Sequence, residues 1–330
     1  MSESLPVANE HRLIAKIQEW TNSSHIGDDC AILGGQTLAS VDSLVEGTHF
    51  KLTTTSLEDL GWKSVAVNLS DIAAMAGRPR YILVSVGMPE YLEEPGLEQL
   101  YRGISACASQ YRVKVAGGDL TKSPVLFLSI TVMGSVHEEG RLERNGARAG
   151  DVVIVTGDFG ASAAGLDALS RLSAAGQSSF TKSQSNYVID RHRRPLPRLC
   201  EAWALVRKSG SRGALMDASD GLADALVQIC RASSVGMSID IEKVPVHQET
   251  VRAAREAGVD PLDWVLYGGE DYELVACVDK STWERLRDSQ HNPFTEIGTV
   301  TETGRIAFTR GEKLDAGLSL TLEKCYQHLG

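Results

Sequence analysis

Six short segments rich in glycine and acidic residues break up the apolar stretches of this chain. They are Ile26-Gly27-Asp28-Asp29, Ser40-Val41-Asp42, Asn68-Leu69-Ser70-Asp71, Gly117-Gly118-Asp119, Met216-Asp217-Ala218-Ser219-Asp220-Gly221 and Gly268-Gly269-Glu270-Asp271. Acidic residues ordinarily decorate exposed surfaces. Here they stand where strands should stop and turns begin. Asp42 and Asp71 sit inside apolar runs, where a lone charge is costly unless it is paired or metal-bound. A carboxylate at a strand end beside a flexible glycine suits a hard cation. Several gathered by folding would hold several Mg²⁺ ions and the phosphates they neutralise.

Each segment taken alone has a plainer reading. A Gly-Asp pair is an ordinary turn, because Asp accepts backbone N–H bonds and Gly tolerates positive φ. Asp220-Gly221 before Leu222-Ala223-Asp224 reads equally as a helix start, with Ser219 or Asp220 as N-cap. It is the number of these segments, and their meeting with apolar sequence, that favours a shared cation site.

The chain has 330 residues and 42% apolar content, which predicts two domains of roughly 150 residues each. A formal net charge of -10 argues against non-specific attraction to nucleic acid or anionic membranes. It leaves anionic substrates open, because bound cations reverse the local sign. Six dispersed cysteines at 30, 107, 200, 230, 277 and 325 include no CxxC pair, and no HExxH occurs. A zinc site or disulfide framework is not expected, and the thiols fit a reducing cytoplasm. The first twenty residues carry Glu3, Glu10 and Glu19 and no long apolar core, which argues against a signal peptide. The most apolar stretch, Val125 to Val132, is too short to span a bilayer.

Helical spacing of Leu13, Ile14, Ile17 and Trp20 predicts a helix over 11–20, and further helices are expected over 57–75, 96–111, 161–175, 199–208 and 222–233. Strands are expected at 37–45, 81–87, 113–116, 125–136, 151–156, 237–241 and 273–278, a short buried segment at 215–217, and a turn at Gly117-Gly118. The charged, glycine-containing stretch 137–150 separates two apolar regions. It sets the expected domains at 1–140 and 141–330. The second half mixes strands and helices without a βαβ rhythm, so both domains are read as α+β.

No GxxxxGK[ST], no GxG pair and no GxSxG occurs, which removes the P-loop, the dinucleotide fingerprint and the nucleophile elbow. Nucleotide phosphates would then be held by metal ions and isolated donors. His49 reads either as a strand-end histidine or as a ligand. Arg144 reads either as part of a solvated linker or as a fork-shaped phosphate donor. Arg191-His192-Arg193-Arg194-Pro195 is a solvated turn or a lid. Gly157 to Gly165 resembles a phosphate loop opening a helix, although tight packing of an Ala/Gly helix explains it as well.

The order and wording of the segments resemble the thiamine-monophosphate kinase family. The matching blocks are Ile26-Gly27-Asp28-Asp29-Cys30-Ala31, Asp42-Ser43-Leu44-Val45-Glu46-Gly47-Thr48-His49-Phe50 and Ala66-Val67-Asn68-Leu69-Ser70-Asp71-Ile72-Ala73-Ala74-Met75. They continue with Gly117-Gly118-Asp119, Asp217-Ala218-Ser219-Asp220-Gly221-Leu222 and Gly268-Gly269-Glu270-Asp271-Tyr272-Glu273-Leu274. The second and last blocks are the specific ones. The resemblance runs from about residue 8 to the C-terminus.

It implies a two-domain α+β architecture of the aminoimidazole ribonucleotide synthetase type. The N-terminal domain would dimerise, and the C-terminal domain would be an α/β sandwich-like unit completing the nucleotide and substrate site. It implies ATP-dependent phosphorylation of thiamine monophosphate to thiamine diphosphate by a cytoplasmic homodimer. Mg²⁺ would fall to Asp29, Ser40, Val41, Asp42, Asp71, Asp119, Asp217 and Asp220. Position 41 is Val where some relatives have Thr, so it could serve only through its backbone carbonyl. Tyr101, Gly118, Asp119, Arg144 and Ser219 match nucleotide-contacting positions, and His49, Glu270 and Tyr326 match positions near thiamine. Asp28 is expected to be a structural partner of Asp29. The tail 324–329 departs from the usual family ending. Transfer onto a phosphate oxygen needs alignment and charge neutralisation, so no covalent nucleophile or general base is expected. The alternatives are a synthetase or ligase of the same superfamily, and a non-catalytic regulator that binds ATP and Mg²⁺.

Overall fold

The computed structural model describes residues 9–176, 187–311, 313–315 and 317–325. The first half contains α1 (Asn9–Thr21), β1 (Ala31–Leu33), β2 (Thr37–Val45), α2 (Leu57–Ala74), β3 (Arg78–Met88), α3 (Glu94–Gln110), β4 (Lys114–Lys122) and β5 (Phe127–Ser135). Its five strands form one sheet in the order β1-β2-β5-β3-β4. The Ser56 hydroxyl caps α2 by accepting the Asp59 N–H at 3.1 Å. From Leu60 to Ser70 every residue of α2 is buried. Gly61 and Gly103 let α2 and α3 approach. A Cβ on Gly61 would lie 2.0 Å from the Leu100 carbonyl oxygen, and one on Gly103 would lie 1.8 Å from that of Glu58.

The second half contains β6 (Val152–Thr156), α4 (Ala161–Ala174), α5 (Tyr187–Arg193), α6 (Leu199–Ser209), β7 (Ala214–Asp217), α7 (Leu222–Ser233) and β8 (Gly236–Asp240). It continues through α8 (Gln248–Ala257), α9 (Pro261–Tyr267), β9 (Leu274–Val278), α10 (Lys280–Arg287), β10 (Phe294–Thr301), β11 (Ile306–Arg310) and β12 (Lys313–Leu314). Seven strands form a second sheet in the order β12-β11-β8-β10-β6-β9-β7. Its pairs are antiparallel except β11 with β8. The architecture is thus mixed α+β with two sheets. One hydrophobic core joins the halves: Leu60, Val65 and Leu69 of α2 share it with Leu205 of α6, Leu215 of β7 and Ala276 of β9. A continuous core of this kind holds the two halves in fixed register.

Several local expectations change. Gly117-Gly118-Asp119 is not a turn but the middle of β4, paired in parallel with β3. A Cβ on Gly118 would lie 1.8 Å from the Val84 carbonyl oxygen, so glycine is needed there for strand approach. The basic run 191–195 is neither a solvated turn nor a lid: Arg191 and His192 are buried at the end of α5. The glycine-rich start of α4 is already occupied by a carboxylate. Asp271 accepts N–H bonds from Gly160 at 2.7 Å and Ser162 at 3.0 Å. Gly165 is there for packing, since its Cβ would lie 2.1 Å from the Val188 carbonyl oxygen. Helices α8, α9 and α10 and strands β10 to β12 were not read from sequence. No described helix is long and apolar enough to cross a membrane.

Candidate active site

A cleft of about 430 Å³ opens where the two halves meet. Strand β2 supplies Ser40, Val41, Asp42 and Ser43, and Thr48 and His49 follow it. The loop before β1 supplies Asp28 and Asp29, and α2 supplies Val67 and Asp71. From the second half come Arg144, Asp217, Ser219, Asp220, Glu270 and Tyr272. Asp217 is the last residue of β7, so it projects from a strand end as its spacing suggested.

Asp29, Asp71 and Asp217 converge, with one carboxylate oxygen from each lying within 4.8 Å of the others. Two hydroxyls orient this set. Ser40 donates to Asp71 Oδ2 at 2.5 Å, and Ser70 donates to Asp217 Oδ2 at 2.5 Å. Asn68 accepts the Asp42 N–H at 3.0 Å and donates to the Ser64 carbonyl at 2.9 Å, fixing β2 against α2. Asp42 itself is exposed to the cleft, so it is not the half-buried strand charge that its apolar neighbours suggested.

Burial pushes the Asp71 carboxyl well above its ordinary range, and Asp42, Asp217 and Asp29 push it further. Burial and then Asp29 raise Asp217 to about 7. Asp220 is raised by burial and by Asp224. Like charges gathered out of water favour protonation of some of them. A divalent cation among them would reverse that preference. An all-oxygen donor set of carboxylates and hydroxyls fits a hard ion such as Mg²⁺.

Arg144 lies in a short 3-10 turn and grips Asp29 with two bonds, Nη2 to Oδ1 at 2.6 Å and Nε to Oδ2 at 3.2 Å. Burial opposes its charge, but Asp29 more than compensates and raises its pKa. Arg144 is therefore a fixed cation at the cleft wall and no part of a solvated linker. Asp28 accepts the backbone N–H of Asp29 at 3.0 Å and that of Arg144 at 3.2 Å. The structure gives it the partner role expected of it.

The acids of the 268–274 block turn away from one another. Glu270 faces the cleft and pairs with Lys63. Asp271 caps α4. Glu273, fully buried, meets Arg191, Arg198 and the Thr156 hydroxyl, each within 2.6 Å. Glu270 and Tyr272 hold left-handed backbone, at φ 58° and 52°, a conformation that costs a non-glycine residue of order 1 kcal/mol or more.

Three expected site residues lie elsewhere in a single chain. Gly118 and Asp119 are exposed on β4, at the edge of the first sheet. The register runs Ser43, Ser129, Ser85, Asp119 across four strands. At the usual strand spacing this places Asp119 roughly 14 Å from the cleft strand. Tyr101 lies on α3 in a shallow surface depression with Glu98, Arg102 and Ser105. Tyr326 is outside the described residues. Neither Ser219 nor Asp220 caps α7, whose N-cap is Gly221. Sequence reasoning missed Lys63, Asn68, Ser70, Gln228 and His192. Asn68 and Ser70 stood inside a quoted motif and His192 inside the basic run 191–195, whereas nothing local marks Lys63.

Residues 27–136 match AIR synthase related protein, N-terminal domain, and residues 148–311 match AIR synthase related protein, C-terminal domain. The thiamine-monophosphate kinase of Bacillus subtilis is 38% identical over 290 residues, covering 84% of this chain and 85% of that one. That of Synechococcus elongatus is 34% identical over 98% of both chains. Among solved structures, AaThiL complexed with AMPPCP and TMP matches with a TM-score of 0.81 and 32% identity, covering 95% of this chain and 98% of that one. The hydrogenase maturation protein HypE, at 20% identity and a TM-score of 0.66, shares the fold alone.

Proposed function

The chain belongs to the thiamine-monophosphate kinase family of AIR synthase related proteins, a family of phosphotransferases, and from that premise we propose that it moves the terminal phosphoryl group of ATP onto the phosphate of thiamine monophosphate by direct in-line transfer, with several Mg²⁺ ions in the cleft. The products are thiamine diphosphate and ADP. The observation that carries the reading is the convergence of Asp29, Asp71 and Asp217 from both halves of the chain.

Asp29, Asp42, Asp71, Asp217 and Asp220, with Ser40 and the Val41 carbonyl, are the residues that would hold the ions. When bound, these ions neutralise the phosphate oxygens of both substrates and the charge spread over the transferred group. The chain's own work is positional. Ser40 and Ser70 hold two carboxylates in place, and Arg144, its fork closed on Asp29, would offer its fixed charge to a nucleotide phosphate beside Ser219. Glu270 and His49 line the wall assigned to thiamine. The acceptor is a phosphate oxygen that carries no proton to remove near neutral pH, so no general base is needed. Residues 1–140 form the ATP, metal and dimer unit, and 141–330 complete the nucleotide and substrate site.

A homodimer is part of this reading. The whole of β4 is exposed at a sheet edge, and Val41, Tyr81, Leu83 and Met133 leave large apolar side chains in solvent. Such an edge and patch favour a second copy as cover. In that arrangement Tyr101, Gly118 and Asp119 serve the nucleotide site of the partner. The free cysteines support a reducing cytoplasm as the working compartment.

The test is incubation with ATP, Mg²⁺ and thiamine monophosphate. Equal amounts of thiamine diphosphate and ADP are expected. Free phosphate in place of the diphosphate overturns the kinase reading. Binding of ATP and Mg²⁺ without any product leaves a non-catalytic regulator.

A further inference from the structure

Lys63 is a lysine in the wrong place for a surface cation. It is 2% exposed, in the middle of a helix whose residues from Leu60 to Ser70 are all buried. Packing alone would be better served by Leu or Met, because a buried ammonium must be paired to be tolerated. Its Nζ lies 2.6 Å from Glu270 Oε1. The other Glu270 oxygen, Oε2, lies 3.4 Å from His192 Nδ1, and that nitrogen is 3.0 Å from the Ser162 hydroxyl. The Glu270 N–H donates to the Ser219 carbonyl at 2.6 Å, and its backbone is left-handed. Both ends of this glutamate are thus held.

The placement along α2 is the informative part. Lys63, Val67 and Asp71 follow an i, i+4, i+8 spacing, which puts them on one stripe of the helix. Val67 and Asp71 line the cleft, as does Glu270. Eight residues of helix rise about 12 Å. One rigid rod therefore carries the acid of the metal end at Asp71 and anchors, through Lys63, the acid of the other end at Glu270. Glu270 belongs to the second half, and no peptide segment of its own ties it to α2. Burial alone would raise the Glu270 carboxyl. Lys63 outweighs burial and holds it below the ordinary range.

We propose that Lys63 is a positioning residue for acceptor recognition: it fastens the Glu270 carboxylate to the helix that carries Asp71 and so fixes the distance between the phosphate end and the organic end of the acceptor. The proposal rests on the thiamine monophosphate reading of the cleft. Lys63 touches no substrate in this scheme and acts through Glu270.

Steady-state kinetics on the full chain with ATP, Mg²⁺ and thiamine monophosphate test it. Lys63→Met is expected to raise KM for thiamine monophosphate about tenfold, while KM for ATP and kcat move less than about threefold. Adding Lys63→Met to Glu270→Gln is expected to cost nothing beyond Glu270→Gln alone, because the lysine acts through the carboxylate. Effects of the two substitutions that multiply overturn the proposal, as does an equal rise in KM for ATP or an unchanged KM for thiamine monophosphate. Should Lys63→Met fail to fold, the double variant buries no lone charge, and its comparison with Glu270→Gln decides by the same criterion. Wild-type protein that makes no thiamine diphosphate overturns the cleft reading and this proposal together. An active wild type with an indifferent Lys63→Met overturns this proposal alone.

Discussion

The cleft acids and the acids of the 268–274 block look alike in sequence, yet they sit in opposite electrostatic surroundings. Asp71, Asp217 and Asp220 crowd together out of water and are pushed toward protonation. Glu273 is also removed from water and Glu270 is half-buried, but each meets a cation of the chain itself: Lys63 for Glu270, Arg191 and Arg198 for Glu273. The first set waits for a charge from outside, whereas the second has its charge built in. The difference teaches that burial of a carboxylate beside glycine says little until its counter-charge is known. It also separates the losses expected on mutation: function for the first set, acceptor recognition for Glu270, and stability for Glu273.

The largest effect should come from Glu273→Gln. It leaves Arg191 without a counter-charge and Arg198 with only Glu201 at 3.3 Å, and Arg191 Nε and Nη1 already lack hydrogen-bond partners among the described residues. A stability loss of about 3–5 kcal/mol is expected in urea unfolding, with turnover per folded molecule close to wild type. A loss below about 1 kcal/mol would erase the distinction between the two sets.

Asp71→Asn should do the reverse. Turnover is expected to fall at least about 100-fold, or roughly 2.7 kcal/mol of barrier, while metal-free protein melts no lower than wild type because a crowded charge is gone. Mixing this variant with Asp119→Asn sharpens the point. If Asp119 serves the partner's cleft, re-paired dimers contain one intact site in half of the molecules, and roughly a quarter of wild-type activity returns. No recovery would keep Asp119 within its own chain.

The smallest effect is a slope. Burial, reinforced by Lys63, pushes His192 down to about 3, so the native state keeps it neutral. Between about 3 and the ordinary histidine value the unfolded chain binds a proton that the native chain does not. Its stabilising contribution is therefore full above that value and is lost as pH falls through the window, by at most about 1.4 kcal/mol per pH unit. His192→Asn should flatten the acid limb of a plot of melting temperature against pH. An unchanged slope would show that His192 does not belong to the built-in set.

Much of the fold was legible. Strand β2 and helix α7 fall where their apolar periods end, and α2 stops at Ala74, three residues before Gly77. The meeting of Asp29, Asp71 and Asp217 was legible too, because a repeated Gly/Asp pattern at apolar edges favours a shared site over isolated turns. Gly117-Gly118 misled because glycine marks both turns and close strand approach, and only the neighbour Val84 decides which. The basic run 191–195 misled because charge suggests solvent, while its partners Glu273 and Glu270 lie far along the chain.

Residue order alone showed which chemistry was on offer: hard oxygen ligands, no P-loop or dinucleotide glycine loop, and an order of blocks that marks the family. Only the tertiary structure decided which acids are spoken for. Coulomb attraction depends on distance in space, and folding is what sets Lys63 against Glu270, Arg144 against Asp29, and Asp217 among the acids of the first half.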